Sequence, residues 1–335
     1  MSAPVISVLM PVYNVEKYIG EAIDSILNQT FRDFEFIIVD DASTDNTLSI
    51  IQSFSDLRIK IIRNENNLML AASLNKGLQV ARGKYVARMD GDDVSHPKRL
   101  EKLFDFLEKN PNIDICGSAM KLMDHENGVW EYKMDDKEIK AGMIWLATLS
   151  HGTVLMRLDT IRKHNLYYDE TFKVGQDWKY WYDAMKIVTF ANLNEPLYFY
   201  RRGQQSVTIK FSHQSKDRYA VMHRLLLYDF GIPFTEREVF LHQFIIGIFT
   251  ITPSAKAVRE ARIWFKKLIR YNRDMKKFDV KAFKIFSDDR WNHLFYKIIP
   301  FGFRCVWTYF WVTGINKYHF IYYLKYLMSL KTSHR

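Results

Sequence analysis

Residues 81–93 read Ala81-Arg82-Gly83-Lys84-Tyr85-Val86-Ala87-Arg88-Met89-Asp90-Gly91-Asp92-Asp93, a short apolar run that breaks into acid. Tyr85 to Met89 has the pattern of a strand buried on both faces. Three carboxylates in four residues follow it. They repel one another, and the glycine between them lets the backbone turn tightly. Hard oxygen ligands gathered this way suit Mg2+ or Mn2+ carrying a diphosphate.

Working outward, Ile6 to Met10, Phe36 to Val39 and Ile59 to Ile62 repeat the buried-strand pattern. Glu16 to Leu27, Thr44 to Phe54 and Leu70 to Ala81 carry apolar residues at helical spacing, with Ser43 or Thr44 as a helix N-cap. Strand and helix alternate, which predicts a mostly parallel sheet covered by helices. In such sheets ligands bind beyond the carboxyl ends of the strands. Strand one ends in Pro11-Val12-Tyr13-Asn14, strand two in Asp40-Asp41-Ala42-Ser43-Thr44-Asp45, and strand four in the acidic turn, so one rim receives an aromatic and a set of carboxylates. Acids and serines after a strand also cap the next helix, so Asp40 to Asp45 have a structural reading as well. No Gly-x-Gly-x-x-Gly follows strand one and no Gly-x-x-x-x-Gly-Lys-Ser/Thr occurs. What remains is a nucleotide whose phosphates are held by a metal.

Three segments together, S-V-L-M-P-V-Y-N at 7–14, V-D-D-A-S-T-D-N-T at 39–47 and A-R-G-K-Y-V-A-R-M-D-G-D-D at 81–93, resemble the family 2 glycosyltransferases of the GT-A fold. The likeness covers roughly residues 4 to 208. It implies an α/β GT-A domain over 1–210, a Rossmann-like mixed sheet with its nucleotide-binding part at about 1–95 and its acceptor part at about 96–210. It also implies an inverting transfer of sugar from a nucleotide diphosphate donor, usually a UDP-sugar, to a hydroxyl of a glycan or of a polyprenyl-diphosphate-linked acceptor in surface polysaccharide synthesis. On this resemblance Pro11 and Tyr13 border the base, Asp41 hydrogen-bonds its edge, and Arg63 stands where a basic residue approaches the nucleotide. Asp90 and Asp92 match the D-x-D signature: Asp92 binds a divalent cation, Mn2+ or Mg2+, and Asp90 contacts the ribose or the metal. Such a cation neutralises charge on the departing diphosphate.

Inversion needs a base opposite the leaving group to take the acceptor proton. The family carries it in a Glu-Asp pair at the start of a helix. Here the run is Val174-Gly175-Gln176-Asp177-Trp178, so Asp177 matches the base and Gln176 departs from the usual Glu. The alternative reading of Asp177 is an acid favoured by the helix dipole. His151, Gln176, Trp178, Arg201 and Arg202 are candidates for contact with acceptor or diphosphate. His151 has an equally simple reading as a structural hydrogen-bonding residue. Gly203 stands where many members place a histidine, which leaves Arg201 or Arg202 to meet phosphate oxygens.

The back of the chain, 211–335, is different. It holds 22 Lys and Arg against 9 Asp and Glu, net +13, while residues 1–210 hold 26 against 29, net −3. Helices are expected over Arg218 to Tyr228, Glu236 to Phe249, Ala255 to Tyr271 and Val280 to Lys284. Ser287-Asp288-Asp289-Arg290-Trp291 approaches the Gln-x-x-Arg-Trp signature of processive synthases but lacks the Gln, and reads as a chance Arg-Trp. Ile298 to Ile315 is an apolar, aromatic run of borderline spanning length interrupted by Pro300 and Arg304. An arginine near its middle argues against a span. Aromatic and basic content together predict contact with an anionic membrane surface, with packing inside a helical domain as the alternative.

With 335 residues the chain is long enough for about two domains. Hydrophobic residues at 48% and charged residues at 26% exclude a disordered or tail-like protein. Cys116 and Cys305 are too few for a disulfide framework. No basic segment followed by a long apolar one precedes the first strand pattern, so the expectation is a cytoplasmic protein, peripheral on the inner face of the cell membrane. The basic surplus leaves a nucleic-acid-binding or scaffold protein as a rival, which the carboxylate rim opposes by repelling phosphate, so no nucleic-acid partner is expected. A sugar nucleotidyltransferase is the nearer rival. It needs a glycine-rich first loop, and Pro11-Val12-Tyr13-Asn14 is not one.

Overall fold

The computed structural model describes residues 3–123, 128–201 and 212–332. It forms two compact units, Met1–Ser212 and His213–Arg335. In the first, β1 (Ile6–Val12), α1 (Ile19–Leu27), β2 (Phe34–Asp40), α2 (Thr47–Gln52), β3 (Ile59–Arg63), α3 (Met69–Val80) and β4 (Tyr85–Arg88) alternate. Then come β5 (Val94–Ser95), α4 (Arg99–Lys109), β6 (Ile115–Leu122), β7 (Val129–Trp130), α5 (Asp136–Gly142), β8 (Leu155–Arg157), α6 (Leu158–Lys163), α7 (Gln176–Ala184) and β9 (Phe190–Tyr200).

One sheet runs in the order β3-β2-β1-β4-β8-β6-β9-β5, with β7 paired to β6. The first four strands are parallel, β8 runs antiparallel to β4 and β6, and β6 and β9 are parallel with a bulge. The sheet is therefore mixed, and the parallel expectation holds for the half formed by β3, β2, β1 and β4. β1, β2 and β4 are buried along their whole length, as their apolar runs require. β3 is not: it forms the sheet edge and stays half open, which corrects its reading as a strand covered on both faces.

Both predicted caps of the second helix are also corrected. α2 starts at Thr47, because the Ser43 and Thr44 hydroxyls are taken by the first loop: Asn14 N–H donates to Ser43 Oγ at 3.1 Å and Asn14 Nδ2 to Thr44 Oγ1 at 3.2 Å. Within the core, Val8, Met10, Ile23, Phe36, Ile38, Ala87 and Leu103 interlock. Arg99 lies fully inside this unit, donating to the carbonyls of Arg88 at 2.9 Å and Gly152 at 2.6 Å. It ties the end of β4 to the segment before β8.

The second unit is helical: α8 (Ser212–Asp229), α9 (Glu236–Ile245), α10 (Ala255–Met275), α11 (Val280–Ile298), α12 (Phe303–Thr313) and α13 (Lys317–Thr332). Side-chain caps start α9, α10 and α11: Thr235 forms a capping box with Glu238, while Ser254 and Asp279 accept the N–H of Ala257 and Ala282. α11 runs 19 residues, well past Lys284, and carries Ser287 to Trp291 mid-helix with Ser287 and Trp291 buried. The apolar run from Ile298 breaks at a 3-10 turn over Ile299–Phe301 and at Gly302, whose φ is 93°. Among the described residues no helix is long and apolar enough to cross a membrane.

Candidate active site

The rim is assembled from loops that follow β1, β2 and β4. Pro11 closes its place in β1 buried beside Val39, and Tyr13 follows with 45% of its surface exposed. Asn14 takes a φ of 52° and is clamped from the second loop, with Thr44 N–H donating to its Oδ1 at 2.8 Å. Val15 N–H donates to Thr47 Oγ1 at 2.8 Å, and Glu16 accepts from Asn46 N–H at 2.9 Å. These bonds fix the two loops against each other and hold Tyr13 at the edge. Asp41 is only 4% exposed, and its Oδ1 accepts from Asn64 Nδ2 at 2.7 Å and Leu68 N–H at 2.8 Å. It thus orders the loop into α3 from beneath. Arg63 reaches Asp40 Oδ2 at 3.7 Å from an exposed position.

The acidic turn is built for crowding. Gly91 leaves little room for a side chain, because a Cβ there would lie 2.7 Å from Val12 Cγ1 and force Val12 to shift. Asp90 Oδ2 pairs with the Arg88 guanidinium and accepts from Tyr198 Oη at 3.2 Å. Asp93 Oδ1 accepts Arg201 N–H at 2.7 Å, while its Oδ2 is buried with no hydrogen-bond partner among the described residues. Burial, reinforced by the charge of Asp92, pushes the Asp93 carboxyl up to about 7. Burial also raises Asp92, against the opposing charges of Arg88 and Arg201. Arg201 donates to the Asp92 carbonyl at 3.0 Å, meets Glu21 at 2.6 Å and lies 4.6 Å over the Tyr18 ring. It is thus a brace for the turn. Arg202 lies outside the described residues.

This turn gathers three carboxylates that Arg88 and Arg201 offset only in part, and their oxygens are hard donors, so it fits a divalent cation. Among the described residues no group of three His, Cys, Asp or Glu side chains converges to hold a metal unaided. Asp92 and Asp90 would supply part of the coordination sphere, with phosphate oxygens and water supplying the rest. The ion pair to Arg88 commits one oxygen of Asp90, which leaves Asp92 the less encumbered donor.

Gly175, at a φ of 75°, turns the chain into α7 and sets Asp177 in its first turn. Asp177 Oδ1 accepts the N–H of Trp178 at 2.8 Å, and part of the side chain remains open. Burial raises its carboxyl above the usual range, with that N–H and Arg88 opposing the shift. Gln176 is buried with Oε1 lacking a hydrogen-bond partner among the described residues. Trp178 is a core residue whose Nε1 donates to the Met143 carbonyl at 3.0 Å. His151 is also internal: its Nε2 meets Tyr168 Oη at 2.7 Å, its ring packs on Trp181, and burial holds its pKa well below the usual value. Both rings are packed inward, Trp178 from α7 onto the Met143 carbonyl and His151 against Trp181 of that helix.

Arg88 is the residue that sequence reading passed over. Only 2% of it is exposed, in the last position of β4, and besides pairing with Asp90 its charge acts on Asp92, Asp93, Asp177, His151, Tyr168 and Tyr198. Arg88 therefore grips the acidic turn through Asp90, and its charge is also felt at Asp177 in the first turn of α7. The only sequence signal was a charge inside a strand that otherwise reads as buried.

A mixed sheet of this strand order, parallel in its first half and packed with helices, is the architecture of GT-A transferases. The family model "Glycosyl transferase family 2" matches residues 7–208, and the chain belongs to that family; it is a glycosyltransferase. An "Uncharacterized glycosyltransferase" of Haemophilus influenzae is 34% identical over 229 residues, covering 64% of this chain and 71% of the relative. The "Uncharacterized glycosyltransferase MJ1057" of Methanocaldococcus jannaschii is 41% identical over 190 residues, covering 54% of this chain and 64% of the relative. Among solved structures, S. aureus TarS 1-349 in complex with UDP-GlcNAc superposes with a TM-score of 0.60 at 19% identity, covering 86% of this chain and 92% of that one. The mannosyltransferase PcManGT of Pyrobaculum calidifontis, in complex with GDP-Man and Mn2+, gives a TM-score of 0.50 at 16% identity, covering 97% and 84%. These likenesses establish the GT-A fold.

Proposed function

We propose that this enzyme transfers a sugar, with inversion, from a nucleotide diphosphate sugar to a hydroxyl of a glycan or lipid-linked acceptor. A UDP-sugar is the favoured donor. The observation that carries the proposal is the carboxylate turn after β4, where Asp90 is held by the buried Arg88, whose charge also reaches Asp92 and Asp177. Tyr13 at the rim offers an exposed ring to the donor base, and the loop ordered by Asp41 borders the same edge. Asp92, helped by Asp90, would hold a divalent cation. When bound, that cation supplies positive charge to the leaving diphosphate.

Asp177 accepts the acceptor's hydroxyl proton as the oxygen bonds to the anomeric carbon and the bond from that carbon to the diphosphate oxygen breaks. Burial makes Asp177 a stronger base than a free carboxylate, with the Trp178 N–H and Arg88 opposing that rise. Gln176 cannot take a proton, so Asp177 acts alone at this helix start. Arg88 is a positioning residue, holding Asp90 on one side and biasing Asp177 on the other. A site of action at the cytoplasmic face of the cell membrane, with a lipid-linked acceptor for surface polysaccharide, belongs to the same proposal.

The test is a screen of nucleotide sugars for slow hydrolysis by the purified enzyme, read by mass detection, followed by acceptor transfer with the active donor. Hydrolysis of one nucleotide sugar that is lost in Asp92→Asn supports the reading. Hydrolysis of none, or activity untouched by Asp92→Asn and by EDTA, would remove the donor and cation assignments.

A further inference from the structure

We infer that the outward face of α12, with the start of α13, is a docking surface for an anionic lipid bilayer, lying in its interface and not crossing it. This deepens the membrane placement above, and it rests on features of the helical unit alone.

α12 is two-sided. Cys305, Val306, Thr308, Tyr309 and Phe310 face inward and are buried. Phe303, Trp307 and Trp311 recur every fourth residue on the other side, 61%, 51% and 82% exposed. That spacing makes a single stripe of large rings on one helix face. Ile315 and Tyr318 extend the exposed apolar surface into the start of α13, which is pinned to the unit by His319, stacked on Phe295 at 4.4 Å. So these rings are left outside by a fold that has already filled its core.

Charge identifies the occupant. No Asp or Glu occurs after Asp289, whereas Lys297, Arg304, Lys317, Lys325, Lys331 and Arg335 do. Arg304 lies on the same exposed side as the stripe, and Lys317 and Lys325 are exposed on α13. Apolar rings beside cations with no acid among them match a bilayer that offers anionic headgroups above an apolar interior. A second copy of this chain is disfavoured, since apposing two such faces brings like charges together. Length excludes a span: α12 has 11 residues, about 17 Å of helix, against roughly 30 Å of hydrocarbon. Trp and Tyr prefer the headgroup level, which suits a helix lying flat.

The experiment is co-sedimentation of the full chain with phosphatidylcholine vesicles, with and without a third of phosphatidylglycerol. Wild type should bind the anionic vesicles at least about tenfold more tightly than the neutral ones. Trp307→Ser with Trp311→Ser should weaken that binding about tenfold, and Arg304→Gln with Lys317→Gln and Lys325→Gln should abolish the preference for anionic lipid. Tryptophan emission of the wild type should be quenched by brominated lipid in anionic vesicles, which keeps the test open should a variant fold poorly. Equal binding to both vesicle types, wild-type binding by both variants, or no quenching would overturn the inference. So would a drop from oligomer to monomer in the tryptophan variant with vesicle binding unchanged. Vesicle binding needs no sugar transfer, so an inactive enzyme that still binds spares this inference, and an active one that does not bind spares the proposed reaction.

Discussion

The two units use charge in opposite ways. In the sheet unit the decisive charges are buried and directional: Arg88 against Asp90, Arg99 against two carbonyls, Asp41 under the loop into α3. In the helical unit the surplus is exposed and one-signed toward its end, beside rings that the core leaves out. Buried charges hold their partners in place, because leaving one unsatisfied is costly. Exposed ones act collectively and are screened by salt. This contrast fits the proposed chemistry in the sheet unit and the inferred bilayer docking of the helical unit.

Variants can break this division. The largest effect is expected at Asp177: replacement by Asn should lower turnover by about 10³-fold with donor affinity retained. Turnover within a few-fold of wild type would show that another group takes the proton. Asp92→Asn should raise the Mn2+ concentration for half-maximal rate at least about tenfold, measured by titrating metal into EDTA-treated enzyme. Gly91→Ala, forced against Val12, should cost about 1–3 kcal/mol in thermal unfolding and misplace the acidic turn. The smallest effect belongs to the other unit: Trp311→Ser should change stability by less than about 0.5 kcal/mol and leave turnover on a soluble acceptor unaltered. A large loss of turnover there would mean that the exposed face is tied to the chemistry.

Much of the sheet unit was legible. Apolar runs placed β1, β2 and β4, because parallel strands under helices must be apolar on both faces, and the acids at their ends fell on one rim. Contacts between residues far apart in sequence were not legible. Arg201 meets Glu21 and the acidic turn from more than a hundred residues away, and no local pattern reports that. Arg88 escaped notice for the same reason: a lone arginine in a strand becomes informative only when its partners are known. His151 and Trp178 illustrate the reverse, functional types that packing turned inward. In the helical unit the helical pattern placed parts of α8, α9 and α10 and the start of α11, whereas the rest of α11, the helices α12 and α13 and the exposed stripe on α12 needed the structure.

The central claim is that one buried guanidinium serves both the donor rim and the base, and the pH dependence of turnover reaches it most directly. Asp177 must be deprotonated to act, so the rate falls as pH drops through its pKa, which burial has raised and Arg88 holds back. Removing that positive charge in Arg88→Met lets the pKa rise further, so the acid limb of the pH–rate profile should move to higher pH, with a smaller displacement in Arg88→Lys. An acid limb that stays in place while turnover falls would contradict the account.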